Sequence, residues 1–194
     1  VGFFGLDLKP SSSKDPYALR RLAIGLIKMI LENNKEIKLR DLINYSCELY
    51  SEQDINFNSK NVQRDLLEFF QDRFKNFMKE KDIRNDIIES VTLDYNFDSV
   101  LKTYKKTLTL NKLISKEIGK DVMFSYKRAS NIISNEIKNN KIELTGSSDP
   151  GLFKNDFEKI LYKKIHEIRK DFTNIGKDDD YEGILKAFSL IKKE

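Results

Sequence analysis

Between residues 59 and 80 the side chains Val62, Leu66, Leu67, Phe69, Phe70, Phe74, Phe77 and Met78 recur at steps of three and four, the period of a helix with one buried face. Such a stripe is stable only when other apolar faces lie against it. The chain supplies them: Leu19, Leu22, Ala23, Leu26, Ile27, Ile30 and Leu31 keep the same period upstream, and Leu39, Leu42, Ile43, Tyr45, Leu49 and Tyr50 form a second set. Eight glycines and three prolines in 194 residues leave little material for hairpin turns. The reading is an all-α fold of about eight helices in two packed groups, with the aromatic stripe as packing core rather than a ligand box.

Local signals place the other elements. Asp15 and Pro16 predict a helix starting at Pro16, with the aspartate as cap and the proline at the first helical position. Asn58 or Ser59 caps the long helix, and a short helix over 83–90 leads to the expected domain boundary, which separates 1–92 from 93–194. Asn96 or Asp98 then starts a helix bearing Phe97, Val100, Leu101, Tyr104, Leu108, Leu113 and Ile114. Gly119 is expected to interrupt the pattern before a helix over 120–137, and 139–150 to be a mobile loop. Helices over 155–172 and 180–192 close the chain, the last with Asp178, Asp179 and Asp180 at its dipole-favoured start. Arg64 and Arg73 fall outside the aromatic stripe and are expected in solvent.

The formal charge of +4 is too small to name a partner, but its distribution is uneven. Between Lys102 and Lys141 ten Lys or Arg residues face three acids, Glu117, Asp121 and Glu136. A basic face of that kind lowers the cost of approaching phosphates through counterion release. Cys47 is the sole cysteine, so an internal disulfide or a cysteine cage is excluded, and burial explains the thiol. Apolar runs are short and broken by charge, which predicts no membrane span and a cytoplasmic setting. The start at Val1-Gly2-Phe3-Phe4, without Met, reads as a piece of a longer product.

Catalytic machinery is hard to assemble from these residues. His166 is the only histidine, so a His-His or Cys-His metal set and a Ser-His-Asp triad are not available, and its default role is solvation or helix packing. Neither a Walker loop nor a GxGxxG cradle occurs. No catalytic residue and no metal ligand is assigned. What remains is a recognition surface. Lys127 and Arg128 are adjacent, Asn131 follows one turn on, Tyr126 or Phe124 can stack on an unstacked base, and Lys116 and Lys120 add charge. The competing reading is that Arg128 and Asn131 brace the fold by bonding buried carbonyls. Lys102, Lys105, Lys106 and Lys112 are equally consistent with a solvated helix face.

Three separated strings carry a resemblance. Gly2-Phe3-Phe4-Gly5-Leu6-Asp7-Leu8-Lys9-Pro10 with Ser13-Lys14-Asp15-Pro16-Tyr17-Ala18-Leu19-Arg20-Arg21 closely resembles a signature of the bacterial glycyl-tRNA synthetase beta subunit family. Leu66-Leu67-Glu68-Phe69-Phe70-Gln71-Asp72-Arg73-Phe74 is similar to its hydrophobic segment ending in an Arg-Phe pair. Lys127-Arg128-Ala129-Ser130-Asn131-Ile132 resembles a run in its anticodon-binding domain, which shares the helical plan of the DALR-type domain of arginyl-tRNA synthetase.

The resemblance implies that 1–92 hold the end of a His-Asp phosphohydrolase-like domain plus a helical linker, and that 93–194 hold an anticodon-binding-like domain lacking its last segment. It implies a part of glycine–tRNA ligase, an α2β2 enzyme that binds tRNA(Gly) and uses ATP and Mg²⁺ through its alpha subunit. The family's His-Asp pair lies upstream of residue 1, so no catalysis by this piece alone is expected. Under the same resemblance Lys127, Arg128, Asn131, Tyr126, Lys120 and Lys116 are the tRNA-binding candidates, while Lys14, Arg20 and Arg21 form a structural joint first and RNA contacts second. The rival is a helical protein-interaction module that organises subunit assembly without touching RNA. An independent hydrolase is a poor third, because its metal-binding residues are missing.

Overall fold

The computed structural model describes residues 1–11, 13–55, 57–93, 97–140, 148–175 and Gly183. Among them are eight α-helices: α1 (Gly2–Gly5), α2 (Leu19–Glu32), α3 (Leu39–Ser51), α4 (Ser59–Lys79), α5 (Asn85–Thr92), α6 (Val100–Ile114), α7 (Glu117–Asn140) and α8 (Asp156–Ile175). A single 3₁₀ turn at Pro150–Leu152 and one bridge between Lys38 and Ser99 complete the described elements, so the all-α expectation holds. By compactness the chain divides into Val1–Leu108 and Thr109–Glu194, with the division inside α6.

In the first unit α4 is the hub, and α1, α2, α3 and α5 all pack on it. Its stripe is buried as the spacing requires: Val62, Leu66, Leu67, Phe74, Phe77 and Met78 are all in the core. Each such side chain contributes roughly 1.5–3 kcal/mol relative to staying exposed. Phe74, fully buried, meets Phe97 at 5.5 Å between ring centroids, and Phe4 of α1 meets half-buried Phe69 at 5.3 Å. Arg73 departs from expectation. It is half-buried rather than solvated, its guanidinium lies 5.6 Å from the Phe69 ring centroid, and its Nε is buried without a hydrogen-bond partner. Arg64 does reach solvent, where it pairs with Asp65 at 3.0 Å.

The start of α2 corrects the expectation of a helix from Pro16. Pro16 and Tyr17 form a turn, Ala18 takes the left-handed conformation (φ 53°), and the helix begins at Leu19. A left-handed alanine costs roughly 1–2 kcal/mol. Asp15 offsets it, since its carboxylate accepts from the Leu19 N–H at 2.8 Å and the Arg20 N–H at 3.0 Å. The aspartate is the cap, as its type predicts, but it reaches across the turn. Asn58 caps α4 as expected, accepting from the Asn61 N–H at 3.1 Å. Cys47 is buried in α3 beside Ile43 and Leu39 on the same face.

Asp98 does not start α6; it caps α3. Its carbonyl accepts from the Leu39 N–H and its carboxylate from the Arg40 N–H, both at 2.8 Å, while Ser99 Oγ accepts from the Lys102 N–H at 3.3 Å. Thr92, Thr103 and Thr107 are buried, and each hydroxyl donates to the carbonyl four residues back. Residues 94–96, including Asn96, lie outside the described residues.

In the second unit Gly119 does not break a helix but lies in the first turn of α7. A Cβ there would sit 2.1 Å from the Leu113 carbonyl oxygen, so glycine is what lets α7 start this close to the end of α6. Helix α8 has a reciprocal cap: Asn155 Oδ1 accepts from the Glu158 N–H at 2.9 Å, and Glu158 Oε2 accepts from the Asn155 N–H at 3.1 Å. Of the expected loop over 139–150, α7 takes up the first two residues and 141–147 lie outside the described residues, as does the expected helix over 180–192 apart from Gly183.

Candidate nucleic-acid interface

The residue types that can grip RNA gather on α7. At about 100° per residue, Lys120, Lys127, Asn131 and Lys138 fall within about 40° of one another and make one stripe along the helix. All four are exposed. Phe124, 61% exposed, stands at the edge of that stripe. Glu117, Asp121 and Glu136 lie at least about 60° from the stripe's centre. Lys116 lies just before the first turn, where its carbonyl accepts from the Gly119 and Lys120 N–H groups.

Geometry separates the other two candidates. Arg128 is exposed but lies about 60–100° round the helix from the stripe's members, and Tyr126, 67% exposed, lies on the side that carries Ile133 and Ile137. The side chains of Lys116, Lys120, Tyr126, Lys127, Arg128 and Asn131 make no hydrogen bond or ion pair with another described residue. Among the described residues, Arg128 and Asn131 meet no side-chain partner of the kind the bracing alternative would use. Lys102, by contrast, is engaged with Glu36 at 2.9 Å in the first unit.

The joint near the start of the chain behaves differently. Lys14 is exposed, and its backbone closes a turn with Ser11: the Ser11 N–H donates to the Lys14 carbonyl at 2.9 Å, and the Lys14 N–H donates to Ser11 Oγ at 3.2 Å. The Arg20 guanidinium donates to the Ser11 carbonyl, and Arg21 is exposed without a described partner. Beside it, Lys9 bridges Asp7 at 2.9 Å and Asp65 at 2.6 Å. Donation from Lys9 holds the Asp65 carboxyl below the usual carboxylate range and raises Lys9 in turn.

The sequence reading missed a row of rings on α8. Tyr162 and His166 are one turn apart with centroids 4.1 Å apart, and Phe153 meets Tyr162 edge-on at 5.3 Å. His166 Nδ1 lies 2.9 Å from the Tyr162 carbonyl oxygen. Leu161, Ile165 and Arg169 continue the same face, and together they line a pocket of about 410 Å³. The spacing of Tyr162 and His166 at i and i+4 was the signal that could have found it.

Among the described residues no group of three or more His, Cys, Asp or Glu side chains could hold a metal ion, and no helix is long and apolar enough to cross a membrane. Residues 1–93 match the family model described as glycyl-tRNA synthetase beta subunit. Curated relatives extend the similarity over nearly all of the chain. The glycine–tRNA ligase beta subunit of Rickettsia canadensis is 36% identical over 98% of this chain, that of Rickettsia prowazekii 34% over 100%, and that of Clostridioides difficile 28% over 99%. The chain spans about a quarter of the length of these relatives, 26–27%. The candidate residues of α7 lie beyond the family-model match but within the span shared with the relatives. Signature strings, family model and relatives agree in likening this chain to the glycyl-tRNA synthetase beta subunit.

Proposed function

We propose that this chain is a tRNA-holding part of a glycyl-tRNA synthetase beta subunit, gripping tRNA(Gly) at the anticodon arm while the alpha subunit of an α2β2 enzyme charges the acceptor end. The observation that carries this reading is the exposed stripe of Lys120, Lys127 and Asn131 on α7, which meets no described partner of its own. Lys116 and Arg128 flank it, and Phe124 at its edge offers a ring to an unstacked base. Residues 1–92 are read as the end of the phosphohydrolase-like domain with its linker, and 93–194 as the anticodon-binding-like domain.

The contribution is positional. Ammonium groups and a guanidinium displace counterions from the phosphate backbone, and Asn131 pairs with a base edge. Binding energy from this remote arm then holds the acceptor end in reach of the reacting atoms, which lowers the entropic part of the barrier without touching the chemistry. ATP and Mg²⁺ are read as serving the full enzyme through the alpha subunit, and the setting as the cytoplasm.

Affinity for tRNA(Gly) in the assembled enzyme, measured for Lys127→Ala and Arg128→Ala across a salt series, tests the reading. Each substitution is expected to weaken binding and to lower the salt slope by about one. Unchanged affinity and charging in both variants would sink the anticodon-arm assignment. One observation favours a second reading, an assembly module: Tyr126, Ile133 and Ile137 leave an apolar side of α7 exposed. A gel shift that does not distinguish tRNA(Gly) from an unrelated RNA, or no shift at all, supports the module.

A further inference from the structure

We infer that Arg73 is one half of an ion pair whose carboxylate lies on a segment of the same beta subunit outside residues 1–194, and that the groove between α1, α2 and α4 seats that segment. This goes beyond the grip on tRNA, concerns the first unit alone, and requires only that the chain be part of a longer beta subunit.

Arg73 is half-buried on α4, and its Nε is buried with no hydrogen-bond partner. Among the described residues none gives its guanidinium a hydrogen bond or an ion pair. A guanidinium keeps its charge at any pH a protein meets, so burial cannot neutralise it. Buried polar atoms are almost always satisfied, and an open donor on a charged group is among the costliest to leave. The ring of Phe69, with its centroid 5.6 Å from the guanidinium carbon, does not fill that need. A ring attracts the cation through its π face, whereas the five N–H bonds lie in the guanidinium plane and require an acceptor there. Their fork matches a carboxylate.

Phe69 also connects Arg73 to a groove. Leu19, Leu22 and Leu26 of α2, Phe3 of α1, and Phe69 and Phe70 of α4 line a cavity of about 270 Å³ in which every lining side chain is apolar. Leu22 is 63% and Phe3 40% exposed. An occupant that fits is apolar along the groove and anionic where it passes Phe69. A helix with one apolar face and an Asp or Glu at its edge has that chemistry. The size of the surface selects where the helix comes from. Ten residues line the groove, whereas a stable interface between separate proteins uses roughly 20–30 residues a side. A tethered segment holds to a smaller surface, because the tether keeps its effective concentration near about a millimolar. The chain spans 26–27% of the length of its relatives, so a subunit of that size has ample chain elsewhere to supply the segment.

Photo-crosslinking in the assembled enzyme tests the seat. Leu22 is replaced by p-benzoylphenylalanine, isotope-labelled and unlabelled beta subunits are mixed, and adducts are mapped by mass spectrometry. The expected adduct is intrachain, with matching label at both ends, on a peptide outside residues 1–194 that carries an Asp or Glu. An adduct on the alpha subunit, on a second beta subunit or on tRNA overturns the inference, and so does irradiation that yields none. Amide exchange of the captured peptide then tests the pair. Arg73→Met, and conversion of the captured carboxylate to its amide, are each expected to lower the peptide's protection by about tenfold or more, with little further loss when combined. Arg73→Lys, which keeps the charge but not the fork, is expected to restore part of it. Unchanged protection in Arg73→Met, losses that add in the double variant, or a loss spread over all of α4, as expected of a residue that only braces the helix, overturns the pair. None of these outcomes bears on the salt slope of Lys127→Ala, so the tRNA reading stands or falls separately.

Discussion

In α4, which is 21 residues long, Val62, Leu66, Leu67, Phe74, Phe77 and Met78 are buried. In α7, which is 24 residues long and built on the same three- and four-residue spacing, Met123, Phe124, Tyr126, Ile132, Ile133 and Ile137 are 38 to 67% exposed. Among the described residues of α7 only Gly119 is buried. The difference lies in what surrounds them. Four helices close on α4, and turns place those helices on it: Asp15 anchors α2, Asn58 anchors α4 itself, and Asp98 anchors α3. Helical period states which face is apolar; it does not state what covers it.

Substitution tests that contrast directly. Phe74→Ala removes a ring with no exposure and is expected to cost about 3–5 kcal/mol in chemical denaturation. Ile133→Ala on α7 is expected to cost under about 1 kcal/mol. Equal losses at the two positions would mean that α7 is packed in solution, and the contrast would collapse.

A pair of glycines sharpens the same comparison at smaller scale. Gly119→Ala drives a methyl group into the Leu113 carbonyl and is expected to destabilise by about 1–3 kcal/mol. Gly25, inside α2, has nothing within 4 Å of where a Cβ would sit, so Gly25→Ala is expected to stabilise by about 0.5–1 kcal/mol. Thermal melts of the two variants should therefore move in opposite directions. A gain at Gly119 would show that α7 does not begin against the end of α6.

The smallest effect is electrostatic and lies in the first unit. The Asp65 carboxyl is held below the usual carboxylate range, first by its hydrogen bond from Lys9, so it stabilises the fold above an ordinary carboxylate pKa of about 4. That contribution is lost as pH falls through the depressed folded value. Lys9 is partly exposed, so the pair is worth under about 1 kcal/mol. Asp65→Asn should lower stability slightly at neutral pH and flatten the acid limb of a stability–pH curve. An unchanged acid limb would remove Lys9 from the account of how the α1 region is held.

Which parts were legible follows from range. The stripe of α4, the Asn58 cap and the burial of Cys47 depend on residues close in sequence, and reading them needed no tertiary information. The bounds of α2 were not legible, because an aspartate three residues before it compensates a left-handed alanine. Asp98 was misassigned for a similar reason: its partner amide belongs to Arg40, 58 residues earlier. Arg73 read as solvated because charge was weighed without the ring of Phe69 beneath it. On α7 the residue types were legible and their facing was partly so: helical period aligns Lys127 with Asn131 and turns Tyr126 away. On α8, Tyr162 and His166 were hidden because the histidine was weighed as a solvated or helix-packing residue, and not as one ring in a row.

The cap that Asp98 makes on α3 bears on how this protein can be taken apart. The family-model match stops at residue 93, which invites a cut there when a single domain is wanted. A piece ending at 93 would leave the first two N–H groups of α3 open, remove Phe97 from the face of Phe74, and lose Val100 and Leu101 from the core. The smallest piece that keeps the first unit's chemistry intact runs through Leu108, so the unit of dissection is longer than the unit of recognition.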